Sequence, residues 1–297
     1  MSEFDLIARL RALLPPSSAG VSGADDDAAV LPGNRLLATD LIVDGVHFDR
    51  ALVRPADVGW KAIAVNVSDI AAMGGRPEAV VIGVVLPPGD DGWLEEAYAG
   101  VAEACRAYAT AVVGGDVVSG GALVLAPSIT GHAARPVLRS GARPRDRVVL
   151  TGPLGRSAAG LAALRAGRDD LPDLARAYRR PQPSVAAGVA LADAGATAMI
   201  DVSDGLGADL GHIAAASGVR IILADRLPYA DDVAEVFGES TAEGFALGGG
   251  EDYVLAACLP PDVHADPVLE VGTVEDGPPD VIWRGSSVAR RGWDHRT

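Results

Sequence analysis

The sequence predicts an α/β protein of mixed α+β character, built as two domains in tandem. Apolar runs rich in β-branched residues alternate with Ala-rich helical stretches along the chain. A length of 297 residues suits two ordinary domains. Gly, Pro and Arg then cluster in RSGARPRD before a new apolar run, which places a boundary near residue 135 and divides the chain into 1–135 and 136–297.

Each element follows in order. MSEFDLIARLRALLPP reads as a short amphipathic helix ended by Pro15, without the basic leader, apolar block and small-residue cleavage site of a signal peptide. SGADDDAAVL sets Asp25, Asp26 and Asp27 between a flexible lead-in and the start of a strand. Such a run repels itself at neutral pH unless water or a cation screens it. Strands are expected within residues 34–48, 78–87, 110–120 and 123–133, with helices over 57–73 and 91–109. The second half opens with a strand in RDRVVLTG and a helix from about Ser157, followed by a Pro-rich elbow, RRPQPSVAAG. A strand over 196–204, a helix over 208–218 and strands near 220–224, 251–259 and 268–276 complete it.

Composition narrows the function. With 40 acidic and 25 basic residues the net charge is −15, which disfavours duplex nucleic acid and anionic membranes as partners. An acidic chain binds a phosphate ester only with divalent metal or local arginines to offset repulsion. Cys105 and Cys258 stand alone in apolar segments and read as reduced core residues of a cytoplasmic protein. AVVIGVVLPP is too short to span a bilayer. The single lysine, Lys61, sits in GWKAIAVN rather than GxxxxGK[ST], so there is no P-loop.

The remaining acids fall where α/β sheets build sites. Asp40, Asp116 and Asp201 each follow an apolar run, at the expected C-terminal ends of strands. Asp204 falls in the expected first turn of a helix with Ser203 as its cap or an oxygen ligand, and Asp69 shares a helix face with Asn66. Any one such Asp is usually a turn former or a cap; the combination is what suits Mg²⁺, a hard ion that takes carboxylates and keeps waters and phosphates in its shell. Scattered histidines and isolated cysteines argue against zinc. The glycines of VVGGD and GGGED, and the junction TGPLGRSAAGL, offer backbone amides to an anion, or equally a tight turn and a helix capped by Ser157.

In chain order, GADDDAAVL, LLATDLIVDGVHF, KAIAVNVSDIAAMGG, VVGGD, LRSGARPRD, TGPLGRSAAGL, IDVSDGLGADLGHI and GGGEDYVL resemble the thiamine-monophosphate kinases of the aminoimidazole ribonucleotide synthetase superfamily. AVNVSDIAAMG together with DVSDGL, GGGEDY and a terminal GWDH is similar to the thiamine-phosphate branch. The resemblance implies that superfamily's two-domain fold and a homodimer that pairs N-terminal sheets across its axis. It implies transfer of a phosphoryl group from ATP to thiamine monophosphate, with several Mg²⁺ ions. The family's metal positions fall on Asp26, Thr39, Asp40, Asp69, Asp116, Asp201 and Asp204; its ATP contacts on Tyr98, Gly115, Asp116, Arg139 and Ser203; its substrate contacts on His47, Glu251 and Trp293. Phosphoryl transfer needs positioning and charge neutralisation more than covalent help, and an ionised phosphate acceptor needs no general base. Trp293 would stack on a cationic ring.

The chain departs from the family at Asp25, where a glycine is usual, at Ala38 in place of Ser, at Tyr178 and Ser184 around the elbow, and at Arg296 near the end. Aminoimidazole ribonucleotide synthetase itself remains open as an alternative, while the cysteines expected of selenophosphate synthetase and the hydrogenase-maturation dehydratase are missing. A calcium-binding acidic protein would show DxDxDG spacing, which is absent. Acids serving only as solubilising surface are the remaining reading.

Overall fold

Strands and helices alternate as the apolar runs require in the computed structural model, which describes residues 3–15, 21–22, 26–266 and 268–293. After helix α1 (Glu3–Arg11) comes a first sheet of β1 (Ala29–Leu31), β2 (Arg35–Thr39), β3 (Ile42–Val43), β4 (Arg76–Leu86), β5 (Ala111–Ser119) and β6 (Val124–His132). Its order is β1-β2-β6-β4-β5, with β3 also paired to β6, and only β4 and β5 run parallel among these pairs. Alternate residues of β2 and β6 are buried, so one face packs inward. Helices α2 (Pro55–Ala72) and α3 (Asp91–Ala107) link the strands.

Helix α2 is apolar on almost every side because it has neighbours on every side. It packs against β6, β2 and β4 of the first sheet, against α3, and against α6 and β8 of the second half. Its contact with α3 is made backbone to backbone: a Cβ on Gly59 would stand 1.8 Å from the Ala97 carbonyl oxygen, and one on Gly100 1.7 Å from that of Ala56. Glycine is required at both places.

The second sheet holds β7 (Arg147–Leu150), β8 (Ala198–Asp201), β9 (Arg220–Leu223), β10 (Leu255–Leu259), β11 (Leu269–Glu275), β12 (Asp280–Trp283) and β13 (Ser286–Ser287), in the order β13-β12-β9-β11-β7-β10-β8. Around it lie α4 (Arg156–Arg165), α5 (Pro172–Arg179), α6 (Val185–Ala194), α7 (Leu206–Ser217), α8 (Asp231–Phe237) and α9 (Glu239–Gly248). Strands β8 and β10 are buried throughout. Ala71 and Ala72 of α2 join Val149, Leu191, Met199 and Leu255 in one apolar cluster, which seats α2 on this sheet as well.

Several expectations shift. Asp116 lies inside β5 rather than at its end, since the parallel ladder with β4 runs through Gly114 and Gly115 with a bulge. A Cβ on Gly115 would stand 2.2 Å from the Ile82 carbonyl oxygen, which accounts for that glycine by packing alone. The strand expected from residue 251 starts at Leu255, because Glu251 and Tyr253 hold left-handed φ values of 58° and 52°. Helices α5, α8 and α9 and strands β12 and β13 were not legible because each is short, the amphipathic period of α5 running over only eight residues; the elbow's VAAG opens α6.

Candidate active site

The site is assembled along α2. Asp69, near its C-terminal end, meets Asp27 from the segment before β1 and Asp201, the last residue of β8; one carboxylate oxygen from each lies within 4.8 Å of the others. Ser68 donates its hydroxyl to Asp201 Oδ2 at 2.5 Å. Asn66 accepts the Asp40 backbone N–H at 3.2 Å while its own amide donates to the Ala62 carbonyl, so α2 also holds the chain just after β2. Arg139 joins the group with Nη2 2.7 Å from Asp27 Oδ1, and its backbone N–H donates to Asp26 Oδ1. Of the three-acid run, then, Asp27 enters the cluster and Asp26 accepts from the Arg139 backbone; Asp25 lies outside the described residues.

The cluster is electrostatically crowded. Burial pushes the Asp69 carboxyl well up, and the charges of Asp40, Asp201 and Asp27 push it further against the pull of Arg139. Asp201 is driven up by burial and by Asp27, partly offset by the Ser68 hydroxyl. The surrounding carboxylates hold the Arg139 guanidinium more tightly protonated despite its burial. Burial and Arg139 together press His212 down to about 4. Carboxylates forced together in this way fit a hard divalent cation, which takes oxygen ligands and relieves the repulsion. Among the described residues this group, all oxygen and without His or Cys, is the one arranged closely enough to hold an ion.

The loop after β8 gathers a second set. Ser203 O accepts the Glu251 N–H at 2.7 Å, Asp204 O accepts the Trp293 N–H at 3.0 Å, and Val202 O accepts the Tyr253 N–H at 2.9 Å. Two glycine turns make this approach possible: a Cβ on Gly250 would stand 2.6 Å from Ser203 O, and one on Gly205 2.7 Å from the Gly248 Cα. Ser203 does not cap α7, one of the two roles expected of it, and Asp204 precedes the helix rather than lying in its first turn. Its cap residue is Gly205, and Asp209 turns its carboxylate back onto the Asp204 and Gly205 amides at 3.2 and 2.9 Å. The TGPLGRS junction does present amides to an anion, and the anion is internal: Asp252 accepts from Gly155 N at 2.6 Å and Ser157 N at 3.1 Å. Burial raises the Asp252 carboxyl to about 6 although these amides pull it down. The Ser157 hydroxyl is buried without a hydrogen-bond partner, so it caps nothing.

The other expected residues are placed as follows. His47 Nδ1 accepts the Val43 N–H at 3.1 Å, and its carbonyl faces Lys61, which pairs with Glu251 at 2.6 Å. Trp293 is 60% exposed, beside Asp204. Thr39 stands on the outer face of the first sheet, where its hydroxyl donates to Pro127 O and accepts from Ser128. Gly115 and Asp116 lie on the exposed edge strand β5, and Tyr98 on α3 packs against the first core. No described contact joins these last four to the carboxylate cluster. Asp294, His295 and Arg296 lie outside the described residues. A separate cavity of about 370 Å³, lined by Arg54, Asp57, Arg176, Arg179 and Arg180, opens at the other end of α2, about 18 Å away by helix rise.

Sequence reasoning put the metal on Asp26 rather than Asp27, and missed Lys61, Ser68, Asp209 and Asp252. Each lies inside a motif already singled out, but Lys61 and Ser68 become conspicuous only once α2 is seen to be buried all round, and Asp252 only through its contact with the start of α4.

The family model for the AIR synthase related protein, N-terminal domain, matches residues 25–133. The thiamine-monophosphate kinase of Mycobacterium tuberculosis is 40% identical over 306 residues, covering 99% of this chain and 91% of that protein. That of Aquifex aeolicus is 37% identical over 308 residues, covering 99% and 98%. The solved structure of AaThiL complexed with AMPPCP and TMP superposes with a TM-score of 0.90 at 35% identity, covering 99% of this chain and 97% of that one. With likeness of this depth over nearly its whole length, and with acids from both sheets meeting on α2, this chain belongs to the thiamine-monophosphate kinase family.

Proposed function

We propose that the chain transfers the γ-phosphoryl group of ATP to the phosphate of thiamine monophosphate, giving ADP and thiamine diphosphate, with Mg²⁺ as the required ion. The observation that carries this reading is the convergence of Asp27, Asp69 and Asp201 at the junction of the two sheets. A phosphate oxygen of thiamine monophosphate forms a bond to the γ-phosphorus as the bond from that phosphorus to the bridging oxygen breaks and ADP leaves. Both partners are anions, so the barrier is largely one of charge and alignment. Asp27, Asp69 and Asp201 would hold Mg²⁺, which would supply positive charge to offset that of the phosphates. Ser68 and Asn66 keep Asp201 and the Asp40 backbone in place through their hydrogen bonds, and Arg139 adds a fixed positive charge beside Asp27. Trp293 offers an exposed ring for a cationic heterocycle, and the Glu251 carboxylate adds negative charge on the same side.

The working unit in this reading is a homodimer. Every residue of β5 is exposed, and Val113, Val117 and Val118 are 67%, 56% and 49% accessible on an edge strand, a surface that soluble proteins ordinarily cover. Gly115 and Asp116, which the family resemblance assigns to ATP, lie on that strand.

The test is ADP release measured with ATP, thiamine monophosphate and Mg²⁺, repeated with EDTA. Release that needs both the acceptor and the metal is expected. Heat protection by ATP and Mg²⁺ without turnover of thiamine monophosphate would retain nucleotide binding and discard the substrate.

A further inference from the structure

Lys61 is the chain's one lysine beside 24 arginines, and it is among the largest fully buried side chains, 2% exposed. Its ammonium lies 2.6 Å from Glu251 Oε1, 3.4 Å from the His47 carbonyl oxygen and 4.2 Å from the centroid of the Tyr178 ring. Four segments therefore meet on one nitrogen: α2, the turn after β3, the GGGED turn and α5. An ammonium is a compact charge with three donors, whereas a guanidinium is a wide planar fork with five, which this closed slot would leave partly unsatisfied. A chain that uses arginine for every other such cation has a steric reason to use lysine here.

A purely structural role explains this poorly. Burying an ammonium against a carboxylate that is itself 28% exposed is a weak source of stability, and an apolar side chain would fill the slot without the desolvation cost. What the pair does achieve is to fix Glu251. That residue holds φ at 58° and Tyr253 at 52°, left-handed values that a non-glycine residue keeps only where its surroundings over-determine it. Ser203 O grips the Glu251 backbone N–H at 2.7 Å, and Lys61 grips its side chain.

We propose that Lys61 is a positioning residue for the thiamine-phosphate side of the site: it pins the Glu251 carboxylate and the His47 turn relative to each other and tempers the Glu251 charge, with the Tyr178 ring as the back wall of its slot. This rests on the reading above that His47 and Glu251 border the bound thiamine monophosphate.

The experiment is steady-state kinetics, with thiamine monophosphate and ATP varied separately, on Lys61→Met, Lys61→Arg, Glu251→Gln and the Lys61→Met/Glu251→Gln double variant, with melting temperatures alongside. Lys61→Met is expected to raise KM for thiamine monophosphate on the order of tenfold or more while KM for ATP stays within about twofold. Lys61→Arg should fail to rescue, and the double variant should be no worse than the worse single one, since both break one interaction. An unchanged KM for thiamine monophosphate in a folded, active Lys61→Met, or equal changes for both substrates, overturns the proposal. If Lys61→Met does not fold, Tyr178→Leu takes its place, read against Tyr178→Phe, which keeps the ring and loses only the 3.5 Å hydroxyl contact to the His47 carbonyl: a selective rise of about threefold in Tyr178→Leu over Tyr178→Phe supports the role, and no difference overturns it. Absence of turnover in the unaltered chain would instead sink the kinase reading itself.

Discussion

Asp26 and Asp27 are chemically identical neighbours with different fates. The Asp26 carboxylate accepts from the Arg139 backbone, and burial and the Asp27 charge raise its pKa against the pull of that bond. Asp27 points its carboxylate at Asp69 and Asp201 and takes the Arg139 guanidinium. Asp27→Asn should therefore lower kcat/KM in the ADP-release assay by about 100-fold or more, and Asp26→Asn by less than about tenfold, because only the first removes a charge from the cluster. The reverse order would place the metal on the other carboxylate.

Among the elements, α4 shows how a motif can carry an anion that is not the substrate. Its first amides are satisfied by Asp252 from the turn before β10, ninety-five residues from Ser157 in sequence. Asp252→Ala should cost about 1–3 kcal/mol and lower the melting temperature by several degrees, since it strands buried donors at a helix start. Ser157→Ala should be within about 0.5 kcal/mol of the unaltered chain or stabilising, because the Ser157 hydroxyl is buried without a partner. Thermal melts of the two variants test the assignment, and equal losses would return the cap to Ser157.

Over the whole molecule, charge and assembly are the quantities to measure. Asp69 and Asp201 have folded pKa values raised above the ordinary carboxylate value of about 4. The folded chain thus binds their protons more readily than the unfolded one, and their stabilising contribution, complete below about pH 4, is lost as pH rises through the raised values. His212, depressed to about 4, acts in the opposite sense, costing stability as pH falls below about 6.5. In EDTA the stability of the unaltered chain relative to Asp69→Asn should accordingly fall as pH rises from about 4 through the raised value, and Mg²⁺ should reverse that fall. A difference between the two chains that stays constant or grows with pH in EDTA would contradict the crowding. Assembly is tested on β5: Val113→Asp should halve the mass seen by light scattering, since it sets a charge where an apolar edge is covered. A monomeric unaltered chain would remove the dimer from the proposal.

The sequence by itself determined the alternation of strand and helix and singled out the three-acid run, Asp69 and Asp201, because period and composition are local properties. It read α2 to within a few residues, and it left a tight turn open at the GGGED glycines. Only the tertiary structure decided which acids meet. Asp27, Asp69 and Asp201 come from the segment before a strand, a helix and a strand end, and the choice of Asp27 over Asp26 depends on the direction the backbone takes beside Arg139. The roles of Lys61 and Asp252 were hidden for the same reason. An ion pair or a cap made across a long sequence separation leaves no periodic trace, and it exists only when two sheets are packed on one helix.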